Sequence, residues 1–193
     1  MCGICGEIDF HNKRIHADVT QRMCDVLAHR GPDDEGMLFI KGDRTIEVKK
    51  SSEIREGDIG FEIALGHRRL SIIDLSGAGH QPMCNEDGKI WIVFNGEIYN
   101  FQDIRKGLEQ KGHLFRSKSD TEVIVHAYEE WDVGCLKYFR GMFALAIWDM
   151  KRKRLFLARD RLGKKPLVYW MGKDRFIFAS EIKAILQAMG VGK

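Results

Sequence analysis

The residue with the clearest chemical potential is Cys2, which follows the initiating methionine. A small second residue commonly permits removal of Met1, and that would leave Cys2 with a free α-amine. An α-amine titrates near ~7.7–8.0 and a thiol near ~8.5, so the neutral amine could serve as a general base for its own thiol. Gly3 beside it would let a substrate approach the backbone closely. The pattern predicts a nucleophile at position 2.

Cys2 also begins a CxxC pair with Cys5, for which metal binding and redox chemistry are two further interpretations. A structural zinc site needs four ligands, but the sequence has no second CxxC and no HxxxH pair, and Cys24, Cys84 and Cys135 are scattered. A redox CxxC normally follows a βα unit, and this pair does not. No metal site is therefore predicted. The simplest alternative to a nucleophile is a cysteine buried near the start of a strand.

The elements that must position Cys2 mix strands and helices without strict βαβ alternation, which favours an α+β fold. β-Branched and aromatic runs predict strands at residues 3–10, 90–94, 142–148, 155–158, 167–170 and 176–179. The strand at 90–94 is expected to stop at Asn95-Gly96, a turn dipeptide. Residues 41–62 are charged and weakly patterned, and are interpreted as a hairpin or an exposed insertion.

Four helices are expected from apolar spacing and end signals. The first carries Val19 and Met23 and is predicted to be capped near Asp18 or Thr20. The second runs from an Asn100 cap to Gly112, the third opens at the Ser119-Asp120 signal, and the last covers residues 181–189.

Composition bounds the remaining classes of protein. The 193 residues, 44% of them hydrophobic, predict one domain or at most two small ones. A net charge of +3 gives no indication of nucleic-acid binding. The longest apolar run, residues 142–148, is too short for a membrane span, and the N-terminus lacks the regions of a signal peptide. Five cysteines, an odd number, favour a cytoplasmic protein over a disulfide-stabilised one.

Besides Cys2, seven sequence segments match a known family in the same order along the chain. Together they extend over essentially the whole chain. They are HRGPDDEG (29–36), LGHRRLSIIDLSGAGHQPM (65–83), FNGEIYN (94–100), SDTEVI (119–124), GMFALAIWD (Gly141–Asp149), RDRLGKKPL (159–167) and ASEIKAIL (179–186). With Cys2, this series closely resembles the N-terminal glutaminase domain of glutamine-hydrolysing asparagine synthetases. That family belongs to the class II, N-terminal-nucleophile glutamine amidotransferases.

The resemblance implies a four-layer αββα sandwich of the N-terminal-nucleophile hydrolase type over residues 1–193. It also implies hydrolysis of L-glutamine to glutamate and ammonia through a Cys2 thioester, with no cofactor in this domain. Cys2 would be the nucleophile, while the Asn95 side-chain amide and the Gly96 N–H would form the oxyanion hole. Two donors of this kind suit a developing oxyanion, and loss of one typically costs ~100–1000-fold in rate.

The resemblance also assigns the glutamine pocket. Arg69 would bind the α-carboxylate, for which a permanently charged, bidentate group is suited, and Asp120 would bind the α-ammonium. Glu97 and the segment Leu70, Ser71, Ile72 and Ile73 match pocket positions, and Arg30 matches a position near the nucleophile. Without the resemblance, Arg69 could simply form a surface salt bridge. Asp120 could likewise be the N-cap of the third helix.

The fate of the ammonia stays open at the level of the sequence. No SGGxDS loop of an ATP-pyrophosphatase domain is present, so ATP and Mg are expected only in a synthetase domain outside these residues. A truncated domain is favoured over a stand-alone subunit, with the synthetase as partner in cis or in trans and a homodimer as a further option. The alternatives are a glutaminase serving an aminosugar or polysaccharide precursor, and a non-catalytic binding module of the same fold.

Overall fold

The computed structural model describes residues 1–11, 15–49, 51–54, 59–74 and 76–189. The chain divides into two compact units: unit 1 comprises Met1–Leu70 and Pro166–Lys193, and unit 2 comprises Ser71–Lys165. The strands are β1 Gly3–Asp9, β2 Ile15–His16, β3 Asp34–Lys41, β4 Arg44–Val48, β5 Ile59–Phe61, β6 Ile63–Arg69, β7 Met83–Cys84, β8 Ile90–Ile98, β9 Gly141–Asp149, β10 Arg154–Arg159, β11 Val168–Met171 and β12 Arg175–Ala179. The helices are α1 Ala17–Asp25, α2 Phe101–Glu109, α3 Asp120–Trp131 and α4 Ile182–Met189.

Unit 1 is built on an antiparallel six-stranded sheet in the order β11-β12-β1-β6-β3-β4. β1 lies near its centre, between β12 and β6, and is buried along its whole length. Helices α1 and α4 pack together and bury residues such as Met23, Leu27 and Ile185 in one apolar core with the sheet. Because the central strand is paired on both sides, the residue that precedes it, Cys2, is attached to a rigid element.

Unit 2 is an antiparallel four-stranded sheet in the order β10-β9-β8-β7, against which α2 and α3 pack. Its core consists of apolar residues from β8, β9 and both helices, including Ile92, Val123 and Leu145. Ser119 caps α3 by accepting a hydrogen bond from the Thr121 N–H at 3.0 Å. The cap is therefore Ser119, and Asp120 is the first residue of the helix.

Most predicted elements are confirmed, and the exceptions have physical reasons. β8 does not stop at Asn95-Gly96 but continues to Ile98, because β9 pairs with it residue by residue and overrides the turn preference of the dipeptide. α1 begins at Ala17 with His16 as N-cap, and no side chain caps it. Strands β3 and β6 were not predicted, since charged and glycine residues break their apolar pattern. Of the 41–62 segment, residues 44–48 form a hairpin with β3; residues 50 and 55–58 lie outside the described residues.

No helix in the described ranges has the length and apolar character needed to cross a membrane.

Candidate functional site

In unit 1, Cys2 lies directly before β1 and is half-buried. The Leu70 N–H donates to Cys2 Sγ at 3.4 Å, and the Leu70 carbonyl oxygen lies 3.7 Å from the same sulfur. Ile4 and Ser180 fix the start of β1 through the Ile4 N–H to Ser180 Oγ at 3.0 Å and the Ser180 N–H to Ile4 O at 2.8 Å. The sulfur is thus placed against the segment that follows β6.

Arg30 holds the backbone of Cys2. Its Nε donates to the Cys2 carbonyl oxygen at 3.0 Å, and its Nη1 donates to Glu181 Oε1 at 2.9 Å. Burial would raise the pKa of Glu181, but hydrogen bonds from Arg30, Lys183 and His29 outweigh it and lower the pKa to about 2. Glu181 is therefore an anion at neutral pH, and it fixes the guanidinium that orients Cys2.

Arg69 is the last residue of β6 and is buried. Its carbonyl accepts the Asp33 N–H at 3.0 Å, and Gly31 lies so close to β6 that a Cβ on it would come within 2.4 Å of the Arg68 carbonyl. Glycine is therefore required where the HRGPDDEG string crosses this strand. That string, β6 and Cys2 are brought together in unit 1.

In unit 2, the segment after Leu70 is open to solvent. Ser71 is half-buried, whereas the side chains of Ile72 and Ile73 are 61% and 41% exposed. Two consecutive exposed isoleucines are unusual in a folded chain of ordinary composition, and are compatible with a surface that contacts a ligand or partner.

Asn95 is the most unusual polar residue of unit 2. It lies within β8, opposite Ala144 of β9, and only 1% of it is exposed. Among the described residues, none accepts a hydrogen bond from Asn95 Nδ2. A buried amide donor without an acceptor costs free energy, and such groups are few in native structures. The observation indicates a donor kept for a ligand.

The direction of the Gly96 N–H follows from the pairing of β8 with β9. Gly96 lies opposite Phe143, whose N–H and carbonyl both bond to Asp160, at 3.2 Å and 2.8 Å. In an antiparallel pair, opposed residues exchange both hydrogen bonds or neither, so the Gly96 N–H points away from β9. The N–H groups of Phe94 and Ile98 on the same edge donate to side chains, at 2.7 Å and 2.9 Å.

Gly96 is required by the sheet as well. A Cβ at this position would lie 2.3 Å from Met142 O and 2.7 Å from Phe143 Cα. The close approach that demands glycine is therefore that of β9, and the prediction that the strand stops at an Asn95-Gly96 turn is wrong. Asn95 and Gly96 are consecutive residues of a strand that is paired with β9.

Asp120 is buried at the start of α3, where its Oδ2 accepts the Ile98 N–H at 2.9 Å. Burial raises the pKa of Asp120 to about 6 despite this hydrogen bond, and the charge of Glu97 adds to the rise. A cation beside Asp120 would reverse this effect by favouring the carboxylate. The charge of Glu97, near the end of β8, thus acts on Asp120, and two acidic groups together favour a cationic one.

The structure separates the residues of the CxxC pair. The Sγ of Cys5 is buried and lies 3.7 Å from the Sγ of Cys24 on α1, whereas Cys2 contacts Leu70. The hydrogen bond with Cys24 and burial raise the pKa of Cys5 well above its usual range, so this thiol is not activated.

Two positioning residues were missed at the level of the sequence. Glu181 anchors Arg30, and Gln81 joins two elements, since its Oε1 accepts the Phe94 N–H at 2.7 Å and its Nε2 donates to Thr121 at 3.2 Å. Both residues lie within segments that resemble the family, which was the only sign in the sequence that they could matter. Their hydrogen-bond partners are distant in sequence.

Comparison with known proteins decides the family. The sequence profile of the glutamine amidotransferase domain family matches residues 54–193. The chain belongs to this family. It is 43% identical over 189 residues to asparagine synthetase [glutamine-hydrolyzing] 3 of Bacillus subtilis, a match that covers 96% of this chain and 27% of that protein. It is also 38% identical over 207 residues to a putative asparagine synthetase of Methanocaldococcus jannaschii, covering 100% of this chain and 36% of that protein.

The chain therefore spans about a quarter to a third of the length of these relatives. Among solved structures, the glutamine phosphoribosylpyrophosphate amidotransferase of B. subtilis superimposes with a TM-score of 0.80 at 22% identity, covering 98% of this chain and 44% of that one. This likeness shows the fold, and the predicted fold class is confirmed. The predicted enzyme class, a glutamine amidotransferase domain, and the resemblance to asparagine synthetases are confirmed as well.

Proposed function

We propose that this domain hydrolyses L-glutamine to L-glutamate and ammonia through a thioester on Cys2, after removal of Met1. The freed α-amine accepts the thiol proton, and the thiolate attacks the side-chain amide carbon of glutamine. The tetrahedral oxyanion collapses, the C–N bond breaks, and the proton held by the amine leaves with ammonia. Water then attacks the thioester, which releases glutamate and restores the thiol. The proposed hydrolysis uses no cofactor and no metal ion.

The observation that carries this proposal is the Nδ2 of buried Asn95, from which no residue in the described ranges accepts a hydrogen bond. In the proposed reaction it stabilises the oxyanion together with the Gly96 N–H, which points away from β9. The backbone that carries both donors is fixed by its pairing with β9 before substrate binds, and preorganised donors are the condition for strong electrostatic stabilisation of a transition state.

The proposed recognition of glutamine uses its zwitterionic end. Asp120, whose raised pKa a cation would lower, binds the α-ammonium, and buried Arg69 binds the α-carboxylate. Glu97 and the Leu70, Ser71, Ile72 and Ile73 segment are proposed to line the pocket, and Arg30 is proposed to position Cys2.

The ammonia is proposed to serve an ATP-dependent synthetase domain that forms asparagine, in cis or in trans. The support is that relatives named asparagine synthetases are three to four times as long as the matched region. Residues 1–193 are proposed to form a single amidotransferase domain, and ATP and Mg are proposed to act only in the synthetase domain.

The test combines mass spectrometry of the N-terminus with an assay of glutamate and ammonia from L-glutamine. We expect protein that lacks Met1 to be active and Cys2→Ala to lose at least ~10⁴-fold in kcat. Cys84→Ala, at another half-buried cysteine, is the matched control and should keep full activity. Unchanged turnover in Cys2→Ala, or activity in protein that retains Met1, would refute the mechanism. Inactive, folded and processed protein would instead favour a non-catalytic binding module.

A further inference from the structure

Apart from the residues proposed for hydrolysis, unit 2 gathers a cluster of histidines and glutamates around α3. His126 lies in the middle of α3, His113 follows α2, and Glu86 lies in the turn between β7 and β8. One ligand atom of each residue lies within 4.8 Å of the other two. Folding alone brings them together, since the three segments are distant in sequence.

His126 is buried with an unsatisfied ring. Only 1% of the residue is exposed, and neither ring nitrogen makes a hydrogen bond within the described part of the chain. Its Nδ1 lies 3.7 Å from Glu86 Oε2 and 3.6 Å from Glu129 Oε2. Glu129 Oε2 is itself buried and receives no hydrogen bond from the described residues. These separations exceed the ~2.7–3.2 Å of a hydrogen bond.

The same separations suit a metal ion between the groups. With bonds of about 2.0–2.1 Å, a tetrahedral zinc ion holds its nitrogen and oxygen ligands about 3.3 Å apart. The distances of 3.6 and 3.7 Å around His126 Nδ1, and of 3.8 Å from His113 Nδ1 to Glu129 Oε2, exceed this value by a few tenths of an ångström. The ligand atoms of Glu86, His113 and His126 all lie within 4.8 Å of one another, so an ion would draw the wider-spaced side chains together.

Each of the two histidines has a carboxylate near its other ring nitrogen, as metal-binding histidines commonly do. Glu122 Oε1 lies 3.9 Å from His126 Nε2, and Glu130 Oε2 lies 3.4 Å from His113 Nε2. A carboxylate on the far nitrogen of a metal-binding histidine orients the ring and increases its basicity. Asn85 Nδ2 similarly fixes Glu129 by donating to its Oε1 at 3.0 Å.

The charge of the cluster also favours a cation. Four carboxylates, those of Glu86, Glu122, Glu129 and Glu130, surround the two rings. Lys111 pairs with one of them, Glu130, at 2.6 Å. A divalent ion would offset much of the remaining negative charge at a partly buried position.

We propose that Glu86, His113 and His126, with Glu129 as the fourth ligand, bind a divalent transition-metal ion. Imidazole with carboxylate is a donor set typical of zinc, and zinc fits the tetrahedral spacing best. The ion would tie α3 to the β7–β8 turn and to the loop after α2, so its role is structural. The proposed site differs from the sequence-based expectation of no metal, which considered ligands close together in sequence, namely CxxC and HxxxH pairs.

The test uses the full chain, purified without chelator, then freed of metal and titrated with Zn²⁺ in competition with a chromophoric chelator. We expect one tight site per chain and, at about 100 times the dissociation constant, a rise in Tm of roughly 5–10 °C. Glu86→Gln changes an accessible ligand and should fold. It and His113→Gln should weaken binding more than ~100-fold, beyond the ~10–100-fold expected for Glu130→Gln. His16→Gln, at an exposed histidine of unit 1, is the matched control and should bind as the wild type.

Cobalt(II) distinguishes this site from metal capture by thiols. Co²⁺ at the proposed site should give the visible bands of tetrahedral nitrogen and oxygen ligation, without the intense near-ultraviolet charge transfer that thiolate produces. Absence of stoichiometric binding, thiolate bands, or binding unaffected by Glu86→Gln and His113→Gln would each overturn the proposal. The cluster would then be a set of ion pairs around a buried histidine. Glutaminase activity enters none of these measurements, so the outcome is independent of the proposed function.

Discussion

The surroundings of Cys2 in unit 1 and those of Asn95 in unit 2 differ in how completely their polar groups are paired. Around Cys2, the backbone is held by Arg30, and Arg30 is held in turn by an ionised Glu181. Around Asn95, a buried amide lacks an acceptor among the described residues, and Asp120 is buried with its pKa raised to about 6. In the first region an ion pair holds the backbone, and two guanidinium nitrogens of Arg30 are paired while its Nη2 makes no hydrogen bond with the described residues. In the second region no described residue accepts a hydrogen bond from the Asn95 amide nitrogen, and burial keeps Asp120 from ionising readily.

The difference indicates that the region around Cys2 positions the nucleophile, whereas the region around Asn95 binds charged groups of a ligand. A nucleophile must be positioned before substrate arrives, and paired groups do that at no cost in stability. Groups that bind developing or fixed charge on a ligand gain most when they have no competing partner in the free protein. Substitutions should therefore separate stability from activity differently in the two regions.

Among the substitutions that test this comparison, Asn95→Ala should have the largest effect. Loss of the oxyanion donor should lower kcat by ~100–1000-fold with little change in KM. The free energy of unfolding should fall by less than for an ordinary buried polar residue, because the removed Nδ2 makes no hydrogen bond with the described residues. Steady-state kinetics and urea unfolding measure the two quantities.

Asn100→Ala is the matched control for that comparison. The Asn100 amide is paired at both atoms, donating to Tyr138 O at 3.0 Å and accepting the Arg140 N–H at 2.9 Å. Its replacement should cost on the order of 1–2 kcal/mol of stability and leave kcat unchanged. If Asn95→Ala lost as much stability as Asn100→Ala and kept its activity, the unpaired amide would have no catalytic meaning.

The next effect concerns Asp120. Protonation of the Cys2 α-amine should already lower kcat/KM below about pH 8. If the Asp120 carboxylate binds the substrate ammonium, this decline should become steeper below about pH 6, and Asp120→Asn should raise KM ~10–100-fold and remove the added steepness. The folded protein holds this proton more tightly than the unfolded chain, so the contribution of Asp120 to stability is complete below pH 3.8 and is lost as pH rises through about 6. A wild-type profile of kcat/KM whose slope stays the same between pH 7 and 5 would argue against the role.

A smaller effect is expected for Arg30→Gln in the paired region. The substitution removes the guanidinium that binds the Cys2 carbonyl, so the sulfur loses orientation but not reactivity. We expect kcat to fall about 10-fold at constant KM. Arg22→Gln, which breaks an exposed pair with Asp18 on α1, should change neither. An increase in KM alone would place Arg30 in substrate binding instead.

The smallest effect is expected for Glu181→Gln, which acts on Cys2 only through Arg30 and should lower kcat about 3-fold. Because the folded pKa of Glu181 is about 2 against an ordinary value of 4.5, its contribution to stability is complete above pH 4.5 and is lost as pH falls towards 2. The variant should lack that loss in acid unfolding, by about 1 kcal/mol after allowance for solvent screening. If the effects of Arg30→Gln and Glu181→Gln on kcat were additive, Glu181 could not be acting on Cys2 through Arg30 alone.

Much of the fold could be predicted because local signals agreed with the tertiary structure. The runs at 142–148 and 155–158 are strands in an apolar environment, and Ser119 caps α3 as its sequence signal indicates. Asn95-Gly96 shows the limit of such signals. Its turn preference is worth less than the continued pairing with β9, which no local pattern reveals.

The candidate site divides in the same way. The identities of Cys2, Asn95 and Asp120, and the resemblance that assigns them roles, are present in the sequence itself. The anchoring of Arg30 by Glu181, 151 positions away, depends on the pairing of β1 with β12 and could not be predicted.

The order of residue types thus determined the chemistry that this chain has available, because a thiol, an amide or a carboxylate has its reactivity wherever it lies. Tertiary structure alone decided which of these groups were left without partners, which ones ionise, and which distant glutamates and histidines surround His126. Burial and hydrogen bonding depend on neighbours brought together by folding, and the neighbours of a residue in space are not its neighbours along the chain.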